Sequence, residues 1–325
     1  MAGCGTDTWK DFVKACLSQS LMDNFLLISE HVFLGRCIKI VRDDLFPFIG
    51  GGSKARKAVE YEKYLRKEGY NAVVTCGGVQ SNHNRAIALT AARNGWKCHL
   101  CVQGTKERFE HEKGNALLCR LSGAEYENIL PEDTAEAMDN AMAKLQSEGY
   151  RPYYIHGGGH DLPGGTCFVD AVKELKAQCD AQNYKPDYIF LASGTGSTQA
   201  GIVVGCEMSG WNDVKVVGIS VARQYERGRQ VIACFANMLG EYYGINKDFT
   251  DKIFFNTDYL FGGYEQYTPE MESYLKEVMG STGLMFDTTY SGKGFYGMMD
   301  VIKKENIQNK NIIFWHTGGL MNLMK

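Results

Sequence analysis

Short apolar, β-rich runs alternate with helical segments along this chain, and the alternation predicts an α/β fold of two-domain, doubly wound parallel sheets. Two further observations support it. Glycine-rich stretches at 77–78, 157–159, 194–196 and 318–319 follow expected strands. In such folds ligands bind beyond the carboxyl ends of the strands, so these loops are expected to line one cleft. The length, 325 residues, suffices for one large or two medium domains with a substantial core.

Runs rich in apolar and β-branched residues place strands at 37–41, 72–76, 98–103, 188–192, 215–220 and 311–315. Helical patterns fill 58–66, 84–94, 134–148, 165–182, 199–208, 269–278 and 294–304. With only 6 prolines and no repeat or low-complexity tract, no linker stands out. The expected division is a large domain of residues 1–56 plus 161–325 and a small one of 57–160.

Hydrophobic residues make up 44% and charged residues 22% of the chain, ordinary for a globular enzyme. A net charge of −3 offers no electrostatic case for nucleic acid or an anionic membrane surface. No apolar run approaches the roughly 18 residues needed to span a bilayer. The first residues lack a basic and then apolar leader, so export is not expected and a cytoplasmic location is. Eleven scattered cysteines suit reduced, buried thiols better than a disulfide framework. Cys98 and Cys101 form a C-x-x-C, but no second pair follows at zinc-finger spacing and the segment reads as a strand, so no metal is expected.

Four constellations carry chemistry. Lys54 follows Gly50-Gly51-Gly52-Ser53, between an expected strand and an expected helix. Glycines let the backbone approach a ligand closely, and a lysine held there can be a nucleophilic amine that forms an imine with a carbonyl compound. With Arg56 and Lys57 it also reads as the start of a solvated basic helix. Ser193-Gly194-Thr195-Gly196-Ser197-Thr198 follows a strand and opens a helix, a cradle of backbone N–H groups for one phosphate. It has no lysine for a nucleotide-triphosphate loop, and Gln199 stands at the third glycine of a dinucleotide fingerprint. A plain capped helix start is the alternative.

In Gly77–Arg85, Ser81 and exposed N–H groups suit a carboxylate, and Asn82 suits a phenolate-like oxygen. His83 alone reads more readily as a structural histidine than as a catalyst. Near the C-terminus, Tyr290 offers an acid/base hydroxyl and Ser291 a neutral donor, or Tyr290 is a packed aromatic. His316-Thr317-Gly318-Gly319 caps the final strand. An imine-forming lysine, a monophosphate cradle, a carboxylate loop and a neutral donor together suit pyridoxal 5′-phosphate (PLP) acting on an amino acid.

The order G-G-x-K-x-R-K, G-G-x-Q-S-N-H, G-T-G-S-T-Q-A-G, Y-x-G-K and H-x-G-G resembles fold-type II PLP enzymes, whose fold is tryptophan synthase beta-like. Within them it resembles the D-cysteine desulfhydrase and 1-aminocyclopropane-1-carboxylate (ACC) deaminase group. The resemblance implies that Lys54 is the Schiff-base lysine and that Ser81 contacts the substrate carboxylate, with Asn82 near the ring oxygen. It implies that 193–198 holds the phosphate, that Tyr290 lies over the ring and that Ser291 faces the pyridine nitrogen. His83, Gly159 and Thr317 fall among the implied substrate contacts.

Members that open the cyclopropane ring carry glutamate at the position of Ser291 and leucine at that of Thr317, so this chain sides with the desulfhydrases. A carboxylate there keeps the pyridine nitrogen protonated and the ring a deep electron sink. A neutral hydroxyl suffices when a β-leaving group departs promptly. The implied activity is β-elimination on D-cysteine to pyruvate, ammonia and hydrogen sulfide, with Lys54 as general base on the Cα–H and Tyr290 assisting departure. ACC ring opening, cysteate sulfo-elimination, D-serine dehydration and a PLP-binding protein without turnover are the alternatives. A homodimer is also implied. Two departures stand out. In Gly263-Tyr264-Glu265-Gln266-Tyr267, glutamine takes the aligned place of a family tyrosine that reaches the site. His156 and His160 flank the 157–159 loop, where fewer imidazoles are expected.

Overall fold

The computed structural model describes residues 26–325. The expected start of the large domain, at residues 1–25, and the reading of the first residues as lacking a leader lie outside the described residues. The elements run β1 (Ile28–Phe33), β2 (Arg36–Arg42), α1 (Ser53–Glu68), β3 (Ala72–Gly78), α2 (Asn82–Asn94), β4 (Lys97–Gln103), α3 (Lys106–His111), α4 (Gly114–Leu121) and β5 (Glu125–Ile129). They continue α5 (Thr134–Ser147), β6 (Pro152–Ile155), α6 (Leu162–Asp180), β7 (Tyr188–Ser193), α7 (Ser197–Met208) and β8 (Lys215–Ser220). The last are α8 (Tyr225–Tyr242), β9 (Phe254–Asn256), α9 (Pro269–Thr282), α10 (Ser291–Lys304) and β10 (Ile312–His316).

Two sheets result. One has six strands in the order β1-β2-β10-β7-β8-β9, the other four in the order β5-β4-β3-β6. Every pairing is parallel except the β1–β2 hairpin, which adds one antiparallel edge. The near-continuous apolar strands explain why both faces of each sheet are covered. Along β7, Ile189 and Leu191 join one core cluster while Phe190 joins the opposite one. In the small sheet Val73 and Leu100 face one cluster, Val74 and Cys101 the other. Cys98 and Cys101 therefore lie on opposite faces of β4, and the C-x-x-C cannot act as one chelate.

Helix α1 begins at Ser53, five residues before the expected start, so Lys54 sits inside its first turn. The basic run Lys54-Ala55-Arg56-Lys57 opposes the helix dipole, which hid the start. A buried network overrides that penalty. Asp43, just after β2, accepts from Arg56 Nε at 3.0 Å and Nη2 at 2.6 Å, and from Trp315 Nε1 of β10 at 2.8 Å. Its carbonyl takes the Gly52 N–H at 2.7 Å, and the Ser53 N–H bonds Thr317 O at 2.9 Å. Gly52, at φ 89°, passes so close to the last loop that a Cβ on Gly318 would lie 2.5 Å from Gly52 Cα. Glycine at 318 is thus required by space as well as by its φ of 94°.

The strands β1, β5, β6 and β9 and the helices α3, α4 and α8 were not expected. β5, Glu-Tyr-Glu-Asn-Ile, is an edge strand too polar to read as one. Three-residue β9 gives no periodic signal.

Removing one partner from a buried ion pair leaves the other charge uncompensated, a cost of about 3–5 kcal/mol. Asp43→Ala is expected to lower stability by about that amount, read as the shift in urea midpoint at constant slope. A midpoint matching the wild type would deny the network its role.

Candidate active site

The loops at the carboxyl ends of five strands, β3, β6, β7, β8 and β10, surround one cavity of about 610 Å³ between the sheets. Lys54, Ser81, Asn82, His83, Tyr290 and Thr317 line it, as do Ser193, Gly194, Thr195, Gly196 and Thr198. Ser197, Gly159 and Ser291 lie behind the wall. Ser197 Oγ and the Gly159 carbonyl both bind Lys57, and Ser291 Oγ donates to Asp287 Oδ1 at 2.7 Å.

Lys54 Nζ donates to Gly158 O at 3.1 Å. One helical turn on, Lys57 Nζ donates to the same carbonyl at 2.9 Å and to Ser197 Oγ at 2.5 Å. Burial draws the Lys54 amine down to about 8, with contacts to Lys57 and Cys167 acting the other way. Burial first, then the charge of Lys54, holds Lys57 well below an ordinary lysine. Lys57 is fully buried rather than solvated. Two amines facing one carbonyl make this end of the cavity short of negative charge.

The 193–198 turn runs from β7 into α7, with Gly196 in the left-handed region ahead of the helix. Arg223 Nη1 holds the carbonyls of Gly194 and Thr195. That leaves the turn's N–H groups and the α7 terminus to the cavity. Ser193 Oγ is buried without a partner among the described residues.

Across the cavity, Ser81 caps α2 by accepting from Asn84 N at 3.1 Å, so its own hydrogen is free for an anion. Asn82 Oδ1 accepts from Arg85 at 3.3 Å and Asn115 at 3.1 Å, which leaves its NH₂ as a donor. Asn115 also donates to Asn322 Oδ1 at 2.7 Å, and Asn322 to Asp287 Oδ2 at 3.4 Å, so the C-terminal turn ties the two walls together. The Thr75 hydroxyl donates to Ile155 O at 2.9 Å and so accepts from His83 Nε2 at 2.8 Å. His83 Nδ1 is then a bare acceptor, buried and without a partner among the described residues. Burial, then the charges of Lys54 and Lys57, keeps this imidazole well below its usual range.

Tyr264 is the residue that sequence reading missed. Its hydroxyl meets that of Tyr290 at the cavity mouth. Gln266 does not line the cavity. The turn that presents Tyr264 is pinned by Lys293 of the Y-x-G-K motif, whose Nζ donates to Leu260 O at 2.8 Å and Gly263 O at 2.7 Å. That buried lysine was the available signal. Burial raises Tyr290 well above an ordinary phenol and Tyr264 to about 12. Both stay protonated at neutral pH. One hydrogen spans the pair and the other is free for the cavity.

His156, His160 and Arg223 also line the wall, while among the described residues no aspartate or glutamate does. Behind it, five donors converge on the Asp287 carboxylate: the N–H groups of Thr289, Tyr290 and Ser291, the Ser291 hydroxyl and Asn322. Burial raises this carboxyl, and the donors from Ser291, Tyr290 and Asn322 draw it back.

Two anion cradles, a low-pKa amine between them and unpartnered Ser193 and His83 atoms fit a phosphorylated aldehyde. Comparison with known proteins agrees. The family model described as pyridoxal-phosphate-dependent enzyme matches residues 32–318. A Pyrococcus abyssi protein provisionally named ACC deaminase is 32% identical over 88% of this chain and 86% of its own. A Salmonella newport D-cysteine desulfhydrase is 31% identical over 88% of each chain. The crystal structure of an ACC deaminase homologue superposes with a TM-score of 0.80 at 31% identity, covering 89% of this chain and 86% of that one.

Burial, then the cations Lys57 and Arg223, lowers His160 to about 3. Its unfolded value is near 6.5, so folding resists its protonation. The resulting stability is intact above pH ~6.5 and is lost as pH falls toward the folded value, by at most about 1.4 kcal/mol per pH unit. His160→Gln is expected to show a smaller fall in urea midpoint between pH 7 and 5 than the wild type. Equal falls would remove His160 from the acid response.

Proposed function

The chain belongs to the pyridoxal-phosphate-dependent enzymes, in the group of ACC deaminases and D-cysteine desulfhydrases, and from that premise we propose that it eliminates the β-substituent of a small amino acid, D-cysteine above all, yielding pyruvate, ammonia and hydrogen sulfide. One observation carries the choice of elimination over ring opening: among the described residues no carboxylate lines the cavity, and position 291 holds a hydroxyl whose hydrogen is given to Asp287. With no acid in the wall, nothing there keeps the pyridine nitrogen protonated, a condition that favours prompt departure of a leaving group.

When bound, the cofactor supplies an aldehyde that captures amines and a conjugated ring that accepts electron density from Cα. Lys54 is the amine that tethers it. With a pKa of about 8, about a tenth of Lys54 is neutral at pH 7, enough to take a proton from Cα. The 193–198 turn would hold the phosphate, and the Asn82 NH₂ would meet the ring oxygen. Ser81 and the α2 N-terminus orient the substrate carboxylate. The free hydroxyl of the Tyr264–Tyr290 pair donates to the departing sulfur. Tyr264 thus supplies what Gln266, at the aligned place, does not. We also propose that the two sheets mark the two domains, 1–56 with 161–325 and 57–160, and that the protein is a cytoplasmic homodimer. No helix among the described residues is long and apolar enough to cross a membrane.

Lys54→Ala protein is expected to lose the yellow absorbance of lysine-bound cofactor and all pyruvate formation. A panel of D-cysteine, L-cysteine, D-serine, cysteate and ACC, read out as sulfide, pyruvate, ammonia and 2-oxobutyrate, is expected to favour D-cysteine. 2-Oxobutyrate from ACC with no sulfide from cysteine would overturn the elimination reading.

A further inference from the structure

On the edge of the small sheet, away from the cavity, β4 and the edge strand β5 pair in parallel with His99 opposite Glu125 and Cys101 opposite Glu127. Alternation sends all four side chains to one face, the face covered by α5. His99 Nε2 lies 3.2 Å from Glu127 Oε1 and Cys101 Sγ 3.7 Å from the same oxygen, and the three ligand atoms all fall within 4.8 Å of one another. A tetrahedral zinc with the usual bond lengths spaces N and O by about 3.3 Å and S and O by about 3.5 Å. The two separations, 3.2 and 3.7 Å, fit a cation seated among them.

Charge points the same way. Glu125 is neutralised by Lys144 at 2.8 Å and Lys97 at 3.4 Å. Glu127 touches a thiol and an imidazole and forms no ion pair with a lysine or arginine among the described residues, Lys144 acting on it only from a distance. His99 is 8% exposed and its Nδ1 has no hydrogen-bond partner, standing 3.9 Å from Glu125 Oε2. Moving the ring proton to Nδ1 frees Nε2 as a ligand and aims an N–H at Glu125, the arrangement by which carboxylates orient metal-bound histidines.

We propose that His99, Cys101 and Glu127 form a binding site for one divalent cation of the zinc class, with Glu125 orienting the imidazole. The mixed S, N and O donor set favours zinc over magnesium or calcium. On binding, the Cys101 thiol releases its proton to solvent, and thiolate and carboxylate together neutralise the cation. The ion would clip the polar edge strand β5 to β4 beneath α5. This site is independent of the proposed reaction.

The test uses chelator-treated holoenzyme titrated with zinc by calorimetry and with cobalt by visible spectroscopy. One cation per chain is expected, with a cobalt–thiolate band and the ligand-field bands of a four-coordinate ion. Cys101→Ser is expected to abolish the thiolate band, and Glu127→Gln, at a side chain 43% exposed, to abolish tight binding without threatening the fold. Glu125→Gln is expected to weaken binding about tenfold. A Cys37→Ser/Cys234→Ser variant, lacking the two thiols exposed among the described residues, is expected to bind as the wild type does. Absence of the cobalt band in wild type, its persistence in Cys101→Ser, or its loss with the exposed thiols would each overturn the proposal.

Discussion

The buried carboxylate of Asp43 is the constraint on which the site depends. It lies between a strand, a helix and the final strand, and each of its bonds fixes a different part of the cavity. Through Arg56 it sets the rotation of α1, and so where Lys54 and Lys57 point. Through Trp315 it sets the height of β10, and so the loop carrying Thr317. Its carbonyl receives the Gly52 N–H at the turn into α1. A helix whose first turn carries three cations would otherwise start poorly. The sheet supplies the counter-charge from below, leaving Lys54 for the cavity.

The cavity is built with a surplus of positive and neutral groups. Two lysines share one carbonyl, an arginine holds the 193–198 turn, and three histidines stand in the wall. Such crowding costs stability in the folded protein, since burial lowers Lys54, Lys57, His83 and His160. A ligand with a phosphate and a carboxylate reverses that cost by supplying the missing charge. The same electrostatics that destabilise the empty pocket therefore select a doubly anionic occupant.

Much of this was legible in the residues. The expected strands at 72–76, 188–192, 215–220 and 311–315 all exist, because buried parallel strands are apolar on both faces and stand out as runs. Motif order brought Lys54, Ser81, Asn82, the 193–198 turn and Tyr290 to one place. What stayed hidden depends on tertiary context. Tyr264 reaches the site because Lys293, thirty positions on in the fold's wiring rather than in any local pattern, draws its turn inward. Ser291 carries a hydroxyl, as the sequence says, but only the fold shows Asp287 taking its hydrogen. Polar β5 and the three-residue β9 acquire strand geometry from their neighbours alone.

The bridge from Asn115 through Asn322 to Asp287 bears on synthesis. Lys54 leaves the ribosome early, yet the two walls of the cavity are joined by a side chain made hundreds of residues later. A nascent chain can display the reactive amine but has no finished pocket to guard it. The cavity is therefore complete only once the segment around Asn322 has been made.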